Sequence, residues 1–264
     1  MIFILLETKA MFANPALEID FKNREFVLLN RGGIREMAGL IDSTLLRADS
    51  TDSEIDMLCR EAADKQFRSV CVAPSFVTLA RGLLNSLPNC NVLVCTVVGF
   101  PIGYQCDESK IDETKLLIKK GADEIDFVQN CTDVKQKNWD KLGHCTTEIV
   151  RAADGKLVKV ILETSLLSDE EIAICTRLHG KAGAHVIKTS TGFGARGASV
   201  NDLQIIANEL NLFEKNSGIK LGIKASGGIR SSADAMKMIQ AGATRLGTSG
   251  GASIIAGKIH GNAY

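Results

Sequence analysis

Residues 184–194, AHVIKTSTGFG, contain a short apolar run that ends on a lysine and passes directly into a small polar turn. The run AHVI predicts a buried strand whose last residue is Lys188. A lysine at this place is partly removed from water, which disfavours its charged form and predicts a lowered pKa. A neutral amine attacks carbonyl carbons, whereas an ammonium group does not. A lone strand-end lysine nevertheless more often extends its ammonium to the surface.

Two other predicted strands change that balance, because they also carry charged residues near their ends. The stretch LGIKASGG contains Lys224, and ADEIDFV contains Asp126. Side chains alternate between the two faces of a strand, so the apolar positions of these strands should face helices and the charged positions should face the interior. The same alternation turns four more charged residues inward, namely Glu124, Lys159, Glu163 and Lys220.

Strands and helices alternate along most of the chain. The predicted strands lie at 40–42, 69–73, 91–98, 122–128, 157–164, 184–188, 219–225 and 243–248, and a helical segment follows each of them. Strand–helix alternation indicates a parallel sheet, and eight such units in 264 residues indicate a single (βα)8 TIM barrel over residues 34–264. An open doubly wound sheet is the alternative. Residues 1–33 are predicted to form an N-terminal arm with one or two helices.

Composition restricts the partners and the compartment. Lys plus Arg and Asp plus Glu are both 31, so the net charge is zero, and neither a nucleic-acid nor a membrane partner is indicated. The eight cysteines form no C-x-x-C pair, which predicts free, mostly buried thiols in a reducing compartment and no metal site. The first residues lack a basic leader, and no apolar run reaches the length of about 18 residues that a membrane span needs. We therefore expect a cytoplasmic protein.

The charged strand ends should form the active site, because barrels of this kind place it at the carboxyl ends of their strands. Neighbouring strands lie about 4.8 Å apart, so Lys188 and Lys224 should end close together. Repulsion between two ammonium groups would favour a neutral Lys188. Asp126 is suited to keep Lys224 charged and to move protons, and Asp42 and Thr44 could extend this polar network.

Two glycine-rich loops predict an anion site. The stretch ASGG follows the seventh strand, and GTSGG, which includes Ser249 and Gly250, follows the eighth. Barrels often bind phosphate at these two loops, where glycines let backbone N–H groups approach the oxygens. Tight turns would explain one such loop, but two in the expected places favour phosphate.

A third glycine pattern, GFGARG at 192–197, matches the dinucleotide fingerprint G-x-G-x-x-G, with Glu214 about 20 residues further on. The segment KTST separates these glycines from the strand end. The two-half architecture of a dinucleotide-binding domain is also not indicated. We therefore do not expect a dinucleotide here.

Taken together, the motifs resemble the deoxyribose-phosphate aldolases, a family of class I, Schiff-base aldolases. The resemblance covers most of the chain after about residue 38. The matching stretches are IDSTLL, VCVAPSFV, VCTVVGFPIG, ADEIDFV, VKVILETSLLSDEEI, HVIKTSTGFG, IKASGGIR and GATRLGTS. The chain departs from the family at residues 102–104, IGY, where a His-Gly is common, and at residues 129–132, QNCT, where smaller and apolar residues are usual.

The resemblance implies reversible cleavage of 2-deoxy-D-ribose 5-phosphate to acetaldehyde and D-glyceraldehyde 3-phosphate, without a metal or other cofactor. It implies the imine on Lys188, with Lys224 as the neighbour that lowers its pKa and Asp126 as the proton-transfer partner. The C-terminal Tyr264 would assist proton transfer. The implied contacts to substrate and phosphate are Thr191, Gly192, Gly227, Gly228 and Ser249.

Two alternatives stay open. One is another Schiff-base barrel lyase or transferase acting on a phosphosugar, as transaldolases do. The other is a sugar-phosphate binder without catalysis, which the pair of inward lysines argues against. We also predict a homo-oligomer, either a dimer or a tetramer.

Overall fold

Eight parallel strands close into a barrel in the order in which they occur along the chain. The computed structural model describes residues 37–261. The strands are β1 (Ile41–Leu45), β2 (Ser69–Val72), β3 (Leu93–Val98), β4 (Glu124–Val128), β5 (Leu157–Ile161), β6 (Val186–Lys188), β7 (Gly222–Ser226) and β8 (Arg245–Thr248). Pairing of β1 with β8 closes the sheet. The predicted barrel is therefore confirmed, and the open sheet is wrong. The arm predicted at 1–33 and Tyr264 lie outside the described residues.

Helices surround the barrel and connect its strands. They are α1 (Asp52–Lys65), α2 (Val77–Ser86), α3 (Asp107–Lys119), α4 (Cys131–Lys135), α5 (Trp139–Ala152), α6 (Asp169–Lys181), α7 (Val200–Ser217), α8 (Ser232–Gln240) and α9 (Gly251–Ile255). The short α4 was not predicted, because the sequence indicated one helical segment after each strand. Short 3₁₀ helices follow β2 and β5.

Three helices begin at residues that cap them with their side chains. Thr51, Ser168 and Ser231 each accept a hydrogen bond from the backbone N–H three residues later, and an acidic side chain at that position bonds back to the cap. Such a cap typically contributes about 1 kcal/mol to stability. These caps fix the first residues of α1, α6 and α8, and thereby the residues at which the preceding loops end.

The alternation of side chains divides the barrel wall into an apolar outside and a charged inside. The outward residues pack under the helices in one continuous core, and they include Ile125, Phe127, Val158, Val160, Leu162 and Ile223. Burial of side chains of this size contributes about 1.5–3 kcal/mol each. Inside the barrel, a small cluster of Leu46, Cys71, Cys95 and Val97 lies beside the charged residues.

Two inward predictions were wrong. Strand β5 ends at Ile161, and Glu163 has left-handed backbone angles, so its side chain no longer follows the alternation. Strand β7 begins at Gly222, and Lys220 precedes it and is exposed. In both cases the strand pattern in the sequence is longer than the paired strand. It extends past the end of β5 and begins before the start of β7.

All eight cysteines lie in the described part of the chain as free thiols, and five of them are buried. Between residues 37 and 261, none of the helices combines the length and the apolar character needed to cross a membrane.

Candidate active site

Lys188 and Lys224 lie on directly paired positions of β6 and β7, so both side chains enter the barrel at the same level. The Nζ atoms of Lys188 and Lys224 lie 2.9 Å and 2.8 Å, respectively, from Oδ2 of Asp126. The structure therefore brings these three predicted residues together. The two ammonium groups do not simply face each other, as the sequence suggested, because one carboxylate oxygen bridges them.

Lys224 is fully buried between two carboxylates. Its Nζ lies 2.6 Å from Oδ2 of Asp42 in addition to its contact with Asp126. Burial alone would lower the pKa of Lys224, but the charges of Asp126 and Asp42 outweigh burial and raise this pKa well above its ordinary value. Asp42 thus joins the network as predicted, and Lys224 stays protonated at neutral pH.

Asp126 uses its second oxygen to bind the floor of the barrel. Oδ1 accepts hydrogen bonds from Nζ of Lys159, at 2.7 Å, and from Sγ of Cys95, at 3.2 Å. Burial would raise the pKa of Asp126, but Lys159, Lys188 and Lys224 together hold it well below its usual range. The carboxylate is therefore ionised and fixed in orientation by contacts on both oxygens.

Lys159, Glu124 and Arg245 form a floor of ion pairs that was not predicted as part of the site. Lys159 lies 2.6 Å from Glu124, and Arg245 lies 2.6 Å from Asp42 and 2.5 Å from Glu124. Alternation had indicated that Lys159 and Glu124 point inward, but it assigned them no partner. Residues two apart on a strand share a face. For Arg245, the sequence signal for an inward side chain was therefore the face that it shares with Gly247 in β8.

The remaining predicted residue of this network, Thr44, does not bind the charged groups through its side chain. Its hydroxyl donates to the backbone carbonyl of Asp42 at 2.8 Å. Thr44 instead lines a cavity of about 250 Å³ between α1 and the loop after β8. Its predicted role in extending the lysine network, and in binding substrate, stays a prediction.

A second cavity, of about 230 Å³, lies between the loops that follow β6, β7 and β8, and we call it the loop cavity. Its lining includes four of the predicted substrate and phosphate contacts, namely Gly192, Gly227, Gly228 and Ser249. The backbone has positive φ angles at the first three, of +93°, +81° and +77°. Such angles are open to glycine at little cost and aim backbone groups in directions that other residues rarely provide.

Two further predicted contacts have other roles. Gly250 is not among the lining residues of the loop cavity. Its N–H donates to the hydroxyl of Thr248 at 3.0 Å, and a Cβ atom added to it would lie 2.6 Å from Cγ of His260. Thr191 directs its hydroxyl and its N–H to the carboxylate of Glu163. The sequence did not reveal these interactions, because both depend on how neighbouring loops approach each other.

Basic side chains also border the loop cavity. Arg196 and Arg230 line it together with His260. Arg196 is already paired with Asp202, at 2.5 Å. Glycine backbone, a serine hydroxyl and basic groups are the combination that binds phosphate in proteins.

Packing explains the G-x-G-x-x-G pattern. A Cβ atom on Gly197 would lie 2.2 Å from the carbonyl oxygen of Gly227, and one on Gly194 would lie 2.8 Å from Oε1 of Glu163. Both glycines are therefore needed for the loop after β6 to approach its neighbours. This agrees with the expectation that the pattern does not mark a dinucleotide site.

Potential metal ligands come together in space although they are dispersed in sequence. Sulfur and carboxylate atoms of Cys71, Cys95 and Asp126 lie within 4.8 Å of one another, as do those of Asp42, Cys95 and Glu124. The carboxylates of both groups already bind lysine or arginine. A cation there would have to replace these ion pairs.

Comparison with known proteins places this site in a family. The sequence profile of the DeoC/LacD family aldolases matches residues 37–261. The deoxyribose-phosphate aldolase of Halalkalibacterium halodurans is 46% identical over 225 residues, which are 85% of this chain and 96% of that protein. The enzyme of the same name from Carboxydothermus hydrogenoformans is 45% identical over 233 residues, 87% of this chain and 98% of that protein.

A solved structure agrees with these relatives. The tetrameric deoxyribose phosphate aldolase from Aeropyrum pernix superposes with a TM-score of 0.77 at 32% identity, covering 85% of this chain and 92% of that chain. The resemblance to deoxyribose-phosphate aldolases that the motifs indicated is confirmed. The chain therefore belongs to the DeoC/LacD family of aldolases and is an aldolase, a carbon–carbon lyase.

Proposed function

We propose that this enzyme is a class I aldolase that reversibly cleaves 2-deoxy-D-ribose 5-phosphate to acetaldehyde and D-glyceraldehyde 3-phosphate through an imine on Lys188. One observation carries the assignment to Lys188. Among Lys159, Lys188 and Lys224 inside the barrel, Lys188 has one carboxylate partner within 4 Å in the part of the chain that the structure describes, and its side chain is 3% exposed. Lys159 and Lys224 are 0% exposed, and each binds at least two carboxylates.

The charge of the interior network supports a neutral amine. The network contains four cationic side chains, Lys159, Lys188, Lys224 and Arg245, and three carboxylates, Asp42, Glu124 and Asp126. Four positive against three negative groups leave one positive charge in excess. An excess charge is costly in a buried site and is most easily removed where compensation is weakest. That place is Lys188.

The reaction begins when the Lys188 amine adds to the C1 aldehyde of the open-chain sugar. Loss of water gives an iminium ion, with the proton for the departing hydroxyl supplied from the Lys224 and Asp126 pair. A base formed by Asp126, directly or through water, then removes the C3 hydroxyl proton. The C2–C3 bond breaks, its electrons enter the enamine, and C3 becomes the aldehyde carbon of glyceraldehyde 3-phosphate. Protonation of the enamine at carbon and hydrolysis release acetaldehyde and the free amine.

The loop cavity is the proposed site for the 5-phosphate. It is bordered by Gly192, Gly228, Ser249 and Arg230, in loops that follow three successive strands, of which β6 and β7 carry Lys188 and Lys224. The choice of substrate is supported by the names of the relatives. They are deoxyribose-phosphate aldolases, and this chain matches them over nearly their whole length. Neither feature calls for a metal or cofactor, and we expect activity to survive EDTA.

Borohydride trapping tests the proposal. Reduction of the enzyme in the presence of 2-deoxyribose 5-phosphate, followed by peptide mass spectrometry, should reveal an adduct on Lys188. Lys188→Arg should abolish the adduct and turnover, whereas Lys237→Arg on α8 should change neither. An adduct on Lys159 or Lys224, or turnover without any adduct, would contradict the mechanism. Turnover only in the presence of a second phosphosugar would instead favour a transaldolase-like transferase.

A competing account of the charge balance involves Cys71. Its thiol lies in the same interior, and its pKa is lowered by a hydrogen bond with Cys95. A Cys71 thiolate would neutralise the network and leave Lys188 charged. If the thiol is neutral, as our proposal requires, Cys71→Ser should leave adduct formation nearly unchanged. A large gain in adduct formation would show that a thiolate had suppressed it.

The assembly and the compartment belong to the same proposal. The Aeropyrum pernix relative is a tetramer, which supports a homo-oligomer here, and light scattering after size-exclusion chromatography would measure it. Eight free cysteines fit the reducing cytoplasm. We also retain the division into an arm at 1–33 and a barrel at 34–264, which limited proteolysis would test.

A further inference from the structure

Glu163 is a buried carboxylate that the reaction scheme does not use. It follows β5 and is 6% exposed. Its Oε2 accepts hydrogen bonds from the backbone N–H of Thr191, at 3.2 Å, and from the hydroxyl of Thr191. Its Oε1 accepts a hydrogen bond from the hydroxyl of Ser165 at 3.1 Å. These hydrogen-bond donors are neutral groups, and the pKa of Arg196 in the neighbouring loop is raised by Asp202 and also by the charge of Glu163. Burying a carboxylate mainly among neutral partners is costly, which argues for a purpose.

The backbone at Glu163 is also unusual. Its φ and ψ angles are 54° and 64°, in the left-handed region that is unfavourable for a residue with a side chain. Strain of this kind persists where the surrounding structure requires it, and it is common near active sites. Here the carboxylate reaches Thr191 in the loop after β6.

That loop forms one wall of the loop cavity. Thr191 lies three residues after Lys188, and its hydroxyl also accepts the N–H of Phe193 at 3.0 Å. Gly192 and Gly194 line the cavity. Gly194 approaches Glu163 so closely that an added Cβ would lie 2.8 Å from Oε1 of Glu163 and 2.8 Å from the hydroxyl of Ser165. The Glu163 carboxylate therefore determines where this wall lies.

The far end of the same loop is held independently. Gly197 packs against the backbone of Gly227, and the N–H of Ala198 donates to the carbonyl of Ser226 at 3.0 Å. Arg196 binds Asp202 and the carbonyl of Thr164. Loss of the Glu163 carboxylate would thus release residues 191–194 while residues 196–198 stay in place.

We infer that Glu163 is a positioning residue for the phosphate group of the substrate, because its carboxylate holds the Thr191–Gly194 wall of the loop cavity at the distance that phosphate binding requires. The inference rests on the proposed function, which supplies the phosphate. Glu163 does not touch the reacting carbons. Its loss should consequently weaken binding of phosphorylated substrate more than it slows the chemical step.

The test compares substrates with and without phosphate. For Glu163→Ala, KM for 2-deoxyribose 5-phosphate should rise about 10-fold or more, the scale of one lost charge-assisted interaction, and kcat should fall less than about 3-fold. The kcat/KM for 2-deoxyribose, which lacks the phosphate, should change less than about 3-fold. Glu163→Gln keeps an acceptor oxygen and should give an intermediate KM. The matched control removes an exposed carboxylate on α6, and this Glu170→Ala variant should behave like the wild type.

Binding of inorganic phosphate separates this inference from the proposed function. Phosphate should raise the melting temperature of the wild type and of the control Glu170→Ala, and the rise should be reduced in Glu163→Ala and in Thr191→Val. Thr191→Val also carries the test if Glu163→Ala does not fold. An unchanged KM and unchanged phosphate binding in both variants would overturn the inference. Equal losses of kcat/KM with both substrates would also overturn it, because Glu163 would then act on the chemical step. A different result is a wild type that binds phosphate in a way that depends on Glu163 and yet fails to cleave deoxyribose 5-phosphate. That result would refute only the proposed function.

Discussion

Lys188 and Lys224 share one oxygen atom, Oδ2 of Asp126, which lies 2.9 Å and 2.8 Å from their respective Nζ atoms. The carboxylate of Asp126 therefore connects the two side chains directly. Lys224 has a second carboxylate partner in Asp42, whereas Asp126 is the carboxylate that lies beside Lys188. In the proposed mechanism, Lys224 supplies protons and Lys188 is the nucleophilic amine.

Lys224→Leu should remove this supply of protons and the positive charge beside Lys188. We expect kcat/KM at pH 7 to fall by about 100-fold or more, the scale of losing a proton-transfer group. Removal of a positive charge also favours the protonated form of a neighbouring amine, so the acid limb of the kcat/KM profile should move to higher pH. The exposed Lys237→Leu on α8 is the matched control. An unmoved acid limb would show that Lys188 is activated by another group.

Lys159→Met tests the charge excess of the interior. This variant leaves three cations and three carboxylates, so a charged Lys188 would then balance the network. We expect lower turnover at pH 7 and an acid limb displaced to higher pH, although Lys159 is fully buried below the reacting groups. Circular dichroism and a urea titration should show that the barrel persists. Full activity with an unchanged pH profile would contradict the charge argument.

The sequence predicted the barrel and the inward lysines for the same reason. The alternation of apolar and charged residues is a property of each strand alone, so Asp126, Lys188 and Lys224 could be assigned to the interior before any strand was paired. Their positions beside Lys159 and Arg245 could not be assigned in this way. Asp126 lies beside Lys159, and Lys224 beside Arg245, because of the register between strands, which depends on the closed barrel.

Loop geometry was the second limit of prediction. Glu163 continues the alternation of β5 in sequence, but a single residue with left-handed backbone angles reverses its direction. No local pattern marks that reversal. Gly197 is a similar case, because its need for glycine comes from the Gly227 backbone, 30 residues away.

Two glycine-to-alanine substitutions should have opposite effects on stability. In Gly197→Ala, the new Cβ would lie 2.2 Å from the carbonyl oxygen of Gly227, so the loops after β6 and β7 must separate. We expect a loss of about 1–3 kcal/mol in the free energy of unfolding and weaker phosphate binding.

Gly82 lies inside α2, where an added Cβ meets no atom within 4 Å. Gly82→Ala should stabilise the protein by about 0.5–1 kcal/mol. Urea titrations measure both, and a stable Gly197→Ala would contradict the close approach.

His179 should make the fold sensitive to mild acid. It is fully buried, with ring nitrogens 2.7 Å from Oε1 of Gln129 and 2.8 Å from the hydroxyl of Thr146. Burial and the charge of Lys110 lower its pKa from 6.5 to about 3. Below pH 6.5 the unfolded chain takes up a proton that the folded chain excludes, so stability falls with falling pH. The loss between pH 6.5 and pH 5 should be about 1.6 kcal/mol. In His179→Gln, the free energy of unfolding should fall less over this interval by that amount, whereas the exposed His144→Gln should keep the slope of the wild type. Parallel slopes in all three proteins would show that His179 is protonated in the folded state.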